Sequence, residues 1–214
     1  MYFQNTFDTV LGQRSKVKLL RYLFSCQDEL TGRQIAKKIG LSHLKAHHAL
    51  KELAEQGIVC VKIVGNAMIY KINPNNLLAR DILKPLFKSE KELLFILSDH
   101  ITKRFKIFAV SLILFGNVIH SSGEENVNNV DILLIVRDEM NLKAVEKEVE
   151  AEIQEIYQSF GNYLRPLIIK ADEFYRRYRV GDPMITQIEK TGKVIYGKSF
   201  SEIANGTEVA YKIA

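Results

Sequence analysis

Apolar positions recur at helical spacing through residues 13–26, where Val17, Leu19, Leu20, Leu23 and Phe24 share one face ahead of the polar Gln27 and Asp28. Thr31 is placed to cap a following helix whose inward positions are Ile35, Ala36 and Ile39, and Gly40 stops it. Ser42 caps a third helix almost at once, with Ala46, Ala49, Leu50 and Leu53 on its inner face. His43, Leu44, Lys45, His47 and His48 are left outside or flanking that face. Gly57 ends the helix, and the runs 58–64 and 68–72 predict a hairpin around Gly65 and Asn66. Two short helices joined by so tight a turn must cross steeply, and the small Ala36 lets them approach. The predicted order is helix, helix, helix, two-stranded wing.

Asn73, Pro74, Asn75 and Asn76 then mark a boundary, being turn formers ahead of a new helical pattern. Residues 77–87 and 90–105 both carry helical apolar spacing, with Pro85 predicted to bend the path between them. Leu93, Leu94, Ile96, Leu97 and Ile101 form a broad stripe that either packs within the chain or pairs with a second copy. Residues 107–115 read as a buried strand ending in Gly116 and Asn117, followed by a polar loop over 120–129 and a second strand over 130–136 with Asp131 at its start. A helix over 141–160 would bury Leu142, Val145, Val149, Ile153 and Ile156. A strand over 163–170, helical segments over 174–179 and 183–190, and a short strand over 194–197 complete the pattern. The class is α+β: a helical and winged domain over 1–75, a helical connector over 76–105, and a mixed sheet with flanking helices over 106–214.

Composition narrows the partners. The 214 residues are 47% hydrophobic and 26% charged, ordinary for a globular chain, and the apolar runs fall short of the roughly 20 residues a membrane helix needs. The N-terminus has no basic segment of a secretory leader, so a cytoplasmic protein with no membrane partner is expected. Cys26 and Cys60 have no partner at metal spacing and read as reduced core residues. Charge is unevenly shared: residues 1–76 hold 11 Lys and Arg against 5 Asp and Glu, and the remainder holds 19 against 20. The whole positive excess sits in the first third, which favours a polyanion-binding module attached to something with another task. The chain has no phosphate-binding glycine loop of the Walker type, no serine-nucleophile elbow and no paired-cysteine motif.

The first third resembles the winged helix-turn-helix of bacterial and archaeal transcription regulators. The resembling residues run from Leu30 through Ile35, Ala36, Ile39 and Gly40 to Ser42, then Ala49, Leu50 and Leu53, and Gly57 and Ile58. The resemblance implies that the third helix enters the major groove of double-stranded DNA while the turns and wing touch phosphates. Ser42, His43, Leu44, Lys45, His47 and His48 are the groove candidates, with Leu44 suited to a thymine methyl; Arg33, Lys37, Lys38, Lys62 and Asn66 are the phosphate candidates. Such regulators read palindromes as dimers, so a homodimer is expected, with the connector as its interface. The competing reading of His43, His47 and His48 is a metal site, although no cysteine or carboxylate joins them in the pattern. A basic run from Tyr175 to Arg179 reads as a solvated helix face or a second nucleic-acid contact.

The last half resembles the small members of the DNA polymerase β-like nucleotidyltransferases. The residues concerned are Ser111 to Gly116 and Asn117 at the end of one strand, and Asn129, Val130 and Asp131 at the start of the next. In that family a Gly-Ser segment cradles a triphosphate, an Asp-x-Asp pair binds divalent metal, and a later strand adds a third carboxylate. Here Asn117 replaces the serine, Asn129 the first aspartate, and the strand over 163–170 has no acid, with Arg165 about where one is wanted. Gly116, Asn117, Asn129 and Asp131 are therefore read as a vestigial nucleotide site, with no catalytic residue expected and Asp131 the only in-place metal ligand, flanked by the loop acids Glu124 and Glu125. Together these features predict a DNA-binding transcriptional regulator that needs no cofactor, whose second domain serves dimerisation or binds a nucleotide or protein effector. The alternative is an active nucleotidyltransferase, antitoxin-like or modifying RNA or protein, using Mg²⁺ and a nucleoside triphosphate.

Overall fold

The computed structural model describes residues 4–26, 28–120 and 128–211. The chain divides into two compact units, Met1–Leu93 and Leu94–Ala214.

The first unit opens with α1 (Thr6–Leu11) and α2 (Arg14–Ser25), followed by the short β1 (Leu30–Thr31), α3 (Gly32–Lys38) and α4 (His43–Glu55). The hairpin β2 (Val59–Val64) and β3 (Ala67–Ile72) then joins β1 in an antiparallel sheet of order β1-β3-β2. Gly65 takes the positive φ, 58°, that a two-residue hairpin loop requires, and Val64 pairs directly with Ala67 across it. Leu19, Leu20, Ile35, Leu50, Leu53 and Ile58 close the core where α2, α3 and α4 meet. This is a winged helix-turn-helix. One core residue is a cation: Lys16 is 2% exposed, donates to the Thr9 carbonyl at 2.6 Å and pairs with Glu52 at 2.5 Å, tying α1, α2 and α4 together.

The cysteines depart from expectation. Both are free, but Cys60 is exposed and Cys26 only half-buried, so neither is a core residue. Strand alternation explains Cys60, because Val59 points inward and its neighbour must point out.

Pro85 also acts differently from the expected bend. A wide π-helical turn, Leu78–Leu83, leads directly into one helix, α5 (Lys84–Phe105), which continues unbroken through the segment where two helices were expected. The Lys84 N–H donates to the Ala79 carbonyl five residues back. Pro85 follows in the first turn of α5, where its missing N–H costs least. Within the first unit Leu78, Ala79, Leu83 and Phe87 join the core, and Phe87 stacks on Phe24 with ring centroids 5.4 Å apart.

The second unit is built on β4 (Ala109–Phe115), β5 (Asn129–Val136), β6 (Tyr163–Lys170) and β7 (Lys193–Gly197), in the order β6-β5-β4-β7. The β5–β6 pair is parallel and the other pairs antiparallel. A short α6 (Asn117–His120) follows β4, α7 (Leu142–Phe160) makes the crossover between β5 and β6, and α8 (Ala171–Arg179), α9 (Pro183–Thr191) and α10 (Phe200–Tyr211) complete the unit. Sheet alternation divides the core. Leu112, Leu114, Ile132 and Leu134 pack with Ile101, Phe105, Val145, Val149 and Ile156, while Ile113, Leu133 and Ile135 pack with Phe174, Ile185, Ile188 and Phe200. With apolar partners on both faces, β5 from Ile132 to Val136 is an uninterrupted apolar run. Leu142 and Ile153 are only partly buried, and Glu152 takes a buried place on α7 instead.

Candidate nucleic-acid interface and a second, acid-poor site

Local capping fixes the helix-turn-helix. The Thr31 hydroxyl accepts from the Gln34 N–H while the Gln34 side chain accepts from the Thr31 N–H at 2.8 Å, a reciprocal cap on α3. Gly40, at φ 65°, makes the turn, and the Ser42 hydroxyl accepts from the Lys45 N–H at 3.4 Å to start α4. Ala46, Ala49, Leu50 and Leu53 hold α4 down. Its other face presents Ser42, His43, Leu44, Lys45, His47 and His48, all exposed.

Leu44 is 65% exposed on a helix whose inner face is well buried. The His43 and His47 rings stack at 6.2 Å between centroids, and His48 meets His47 edge-on at 6.0 Å. These three are thus one aromatic, hydrogen-bonding surface along the first two turns of α4. Among the described residues, the group of His, Cys, Asp and Glu donors close enough together to hold an ion is His100, Glu152 and Glu155 in the second unit, and it includes none of these three histidines.

The phosphate candidates Arg33, Lys37, Lys38, Lys62 and Asn66 are also exposed. Arg33, Lys37, Lys38 and Lys45 form no ion pair among the described residues. Several other cations of the unit are matched: Lys71 with Glu29, Arg21 with Glu90 and Lys51 with Glu55. The Lys71 hydrogen bond, reinforced by the charge of Lys62, holds the Glu29 carboxyl below its ordinary range. The wing carries more than the expected Lys62 and Asn66. Ile63 is 70% exposed, and Val61, Val64 and Met68 are also open, because both faces of the wing's outer half lack a covering layer. Between α4 and the wing lies a cleft of about 560 Å³ lined by His47, Lys51, Val61, Met68 and Tyr70.

In the second unit the turn after β4 meets the start of β5. Gly116 has φ 74°, and a Cβ there would lie 2.6 Å from Asp131 Oδ2, so the carboxylate occupies the space a side chain would need. Asn117 opens α6 and Asn129 opens β5. Asp131 pairs in register with Phe115 on one side and Arg165 on the other. Arg165 Nε donates to Asp131 Oδ1 at 2.7 Å and Nη2 reaches the same oxygen at 2.6 Å. A guanidinium therefore sits on the carboxylate that a divalent metal would require, and the neighbouring candidate positions Asn117 and Asn129 offer only neutral amides. These residues do not fit Mg²⁺, which wants several anionic oxygens. Glu124 and Glu125, with most of the loop expected over 120–129, lie outside the described residues. Asp172 and Glu173 stand in the first turn of α8, where the Asp172 N–H is capped by Asp138 Oδ1 at 2.9 Å.

The pattern of residues did not reveal two further features of this unit. The Ser111 hydroxyl, wholly buried, donates to the Tyr196 and Lys198 carbonyls at 3.1 and 2.7 Å and fastens β4 to β7. Buried Glu152 lies 3.0 Å from His100 Nε2 and 3.2 Å from Arg104 Nε, while Arg104 also holds Glu155. In the basic run on α8, Arg177 is committed to Asp182, whose carboxyl is held below its usual range mainly by that bond.

No family model matches the chain, and no curated protein matches it. Among solved structures, a predicted DNA-binding transcriptional regulator from E. coli is 14% identical, covering 41% of this chain and 84% of its own, with a TM-score of 0.34. The homodimeric winged helix-turn-helix DNA-binding domain of a possible ArsR-family regulator from Mycobacterium bovis is 21% identical, over 47% of this chain and 92% of its own, with a TM-score of 0.30. A toxin-antitoxin solved with AMP-PNP is 15% identical, over 54% of this chain and 86% of its own, with a TM-score of 0.35. No helix among the described residues is long and apolar enough to cross a membrane.

Proposed function

We propose that this protein is a DNA-binding transcriptional regulator in which α4 enters the major groove of duplex DNA. The reading is carried by one observation: the exposed face of α4 and the adjoining α3 bear Arg33, Lys37, Lys38 and Lys45 without carboxylate partners among the described residues. A polyanion supplies the missing counter-charge. His43, His47 and His48 then offer hydrogen bonds to base edges, Leu44 meets a thymine methyl, and Lys62 and Asn66 reach the backbone from the wing. The protein acts as a homodimer through the exposed apolar positions of α5.

The second unit serves this regulator as a nucleotidyltransferase-like domain that has lost its reaction. The Asp131–Arg165 pair supports this, since Arg165 takes the charge a metal would have used. Gly116, Asn117 and Asn129 belong to the same vestigial pocket, which is open to a nucleotide effector bound without metal.

Selection of binding sites from a random duplex pool, followed by salt titration of the selected site, tests the first claim. Lys45→Ala and Arg33→Ala are each expected to weaken binding and to lower the salt slope by about one unit per lost phosphate contact. Wild-type slope and affinity in both variants would overturn the docking. Calorimetric titration with nucleoside triphosphates, with and without Mg²⁺, tests the second. Metal-dependent binding would restore the enzymatic reading.

A further inference from the structure

Within the first unit, a groove of about 590 Å³ lies between α2 and the start of α5. Its floor is the stacked pair Phe24 and Phe87, rings 5.4 Å apart and inclined by 24°. Its rim is cationic: Lys84, Lys88 and Lys91 recur at intervals of four and three residues, with Phe87 next to Lys88 in the same stretch. The groove's own carboxylate is already neutralised. Glu90 accepts from Arg21 Nε at 2.7 Å and from Nη2 at 2.8 Å, and that bond holds its carboxyl below the usual range. Lys88 has a distant partner in Glu92 at 3.8 Å, while Lys84 and Lys91 have none among the described residues. An aromatic floor in a groove of ligand-sized volume, under a rim with two unmatched ammonium groups, is complementary to a molecule with an apolar body and an anionic head.

We propose that this groove binds an amphiphilic organic anion, an organic acid whose hydrocarbon or aromatic body lies on Phe24 and Phe87 and whose acid group is held by Lys84 and Lys91. Phosphate alone would leave the aromatic floor bare, and DNA would meet the rim without filling the floor. The proposal stands whether or not α4 reads DNA, since it uses none of the residues assigned to that face.

The test uses the full chain, with anilinonaphthalene sulfonate as a fluorescent probe and laurate and inorganic sulfate as competitors. One saturable site is expected, displaced by laurate and not by sulfate at equal concentration. The double variant Lys84→Glu with Lys91→Glu is expected to weaken the probe about tenfold or more, from loss of two surface ion pairs and added repulsion. Lys84→Gln with Lys91→Gln, which leaves helix propensity almost unchanged, should fall between that variant and wild type, with an unaltered thermal midpoint as the check on folding. Lys62→Glu on the wing should bind the probe like wild type. The proposal is overturned by probe binding that ignores both double variants, by displacement with sulfate alone, or by displacement with a short DNA duplex.

Discussion

Gly116 and Asp131 illustrate how one side chain claims the volume of another. The positive φ of Gly116 disfavours any other residue, and the Asp131 carboxylate stands where a Cβ would go. Gly65 also has a positive φ, 58°, but nothing lies within 4 Å of its missing Cβ. Gly116→Ala should therefore lower stability by about 1–3 kcal/mol for the strained backbone, plus the cost of displacing Asp131, while Gly65→Ala should incur only the backbone part. Urea unfolding of the two variants checks the order, and equal losses would mean that Asp131 moves aside freely. The resemblance to the nucleotidyltransferases, and not the apolar pattern, implied that Gly116 and Asp131 lie near one another and that Arg165 stands near the missing acid. It could not show that Arg165 Nε and Nη2 converge on a single Asp131 oxygen, because that depends on the parallel register of β5 and β6. Glu152 escaped for a related reason. A charged residue on an amphipathic helix reads as solvated until a neighbouring helix supplies His100 and Arg104.

The helix-turn-helix was legible because its punctuation is chemical. Thr31, Gly40, Ser42 and Gly57 stop or start helices through hydrogen bonds and φ values that depend on only a few adjacent residues. Thr31→Ala removes the hydroxyl half of the reciprocal cap on α3 and is expected to cost about 1 kcal/mol. Thermal or urea unfolding measures that loss, and Thr31→Ser should recover most of it. The helix from Lys84 to Phe105 was less legible. Proline inside an apolar repeat predicts a bend, but the turn before it widens to five-residue bonding, so Pro85 falls where no donor is needed. That widening has no signature in the apolar spacing. The wing was half legible: its turn and register followed from Gly65 and Asn66, but the open faces of Val61, Ile63 and Met68 did not, because alternation assumes that one face is covered.

For the molecule as a whole, the split in charge between the first third and the remainder singled out a candidate polyanion-binding part before any element was placed. The structure adds which of those charges are free and which are consumed, a distinction composition cannot make. It also separates the apolar stripe of α5 into two kinds of position. Leu97, Ile101 and Phe105 are buried, whereas Leu86, Leu93, Phe95 and Ile96 are exposed, Phe95 by 73%. If the protein is a homodimer through these exposed positions, Leu93→Glu with Ile96→Glu should yield monomers in light scattering at concentrations where wild type is dimeric. Operator affinity should fall with it, since each half-site would then bind alone. A variant that stays dimeric would place the interface elsewhere.

The wing has a further consequence, for solubility. Among the described residues its strand β2 pairs only with β3 in the sheet order β1-β3-β2, so one side of Val59–Val64 is a sheet edge. That edge is five apolar residues and a single charge, Lys62. Short, β-branched, nearly uncharged strands at an edge are templates for strand-to-strand self-association, and one lysine is a common guard against it. On this argument Lys62 is expected to keep copies of the wing apart in free protein, a task separate from the phosphate contact proposed for it. Replacing it with a neutral residue would lower the concentration at which the protein aggregates, and a DNA-binding loss in that variant would confound two effects that Arg33 and Lys45 keep separate.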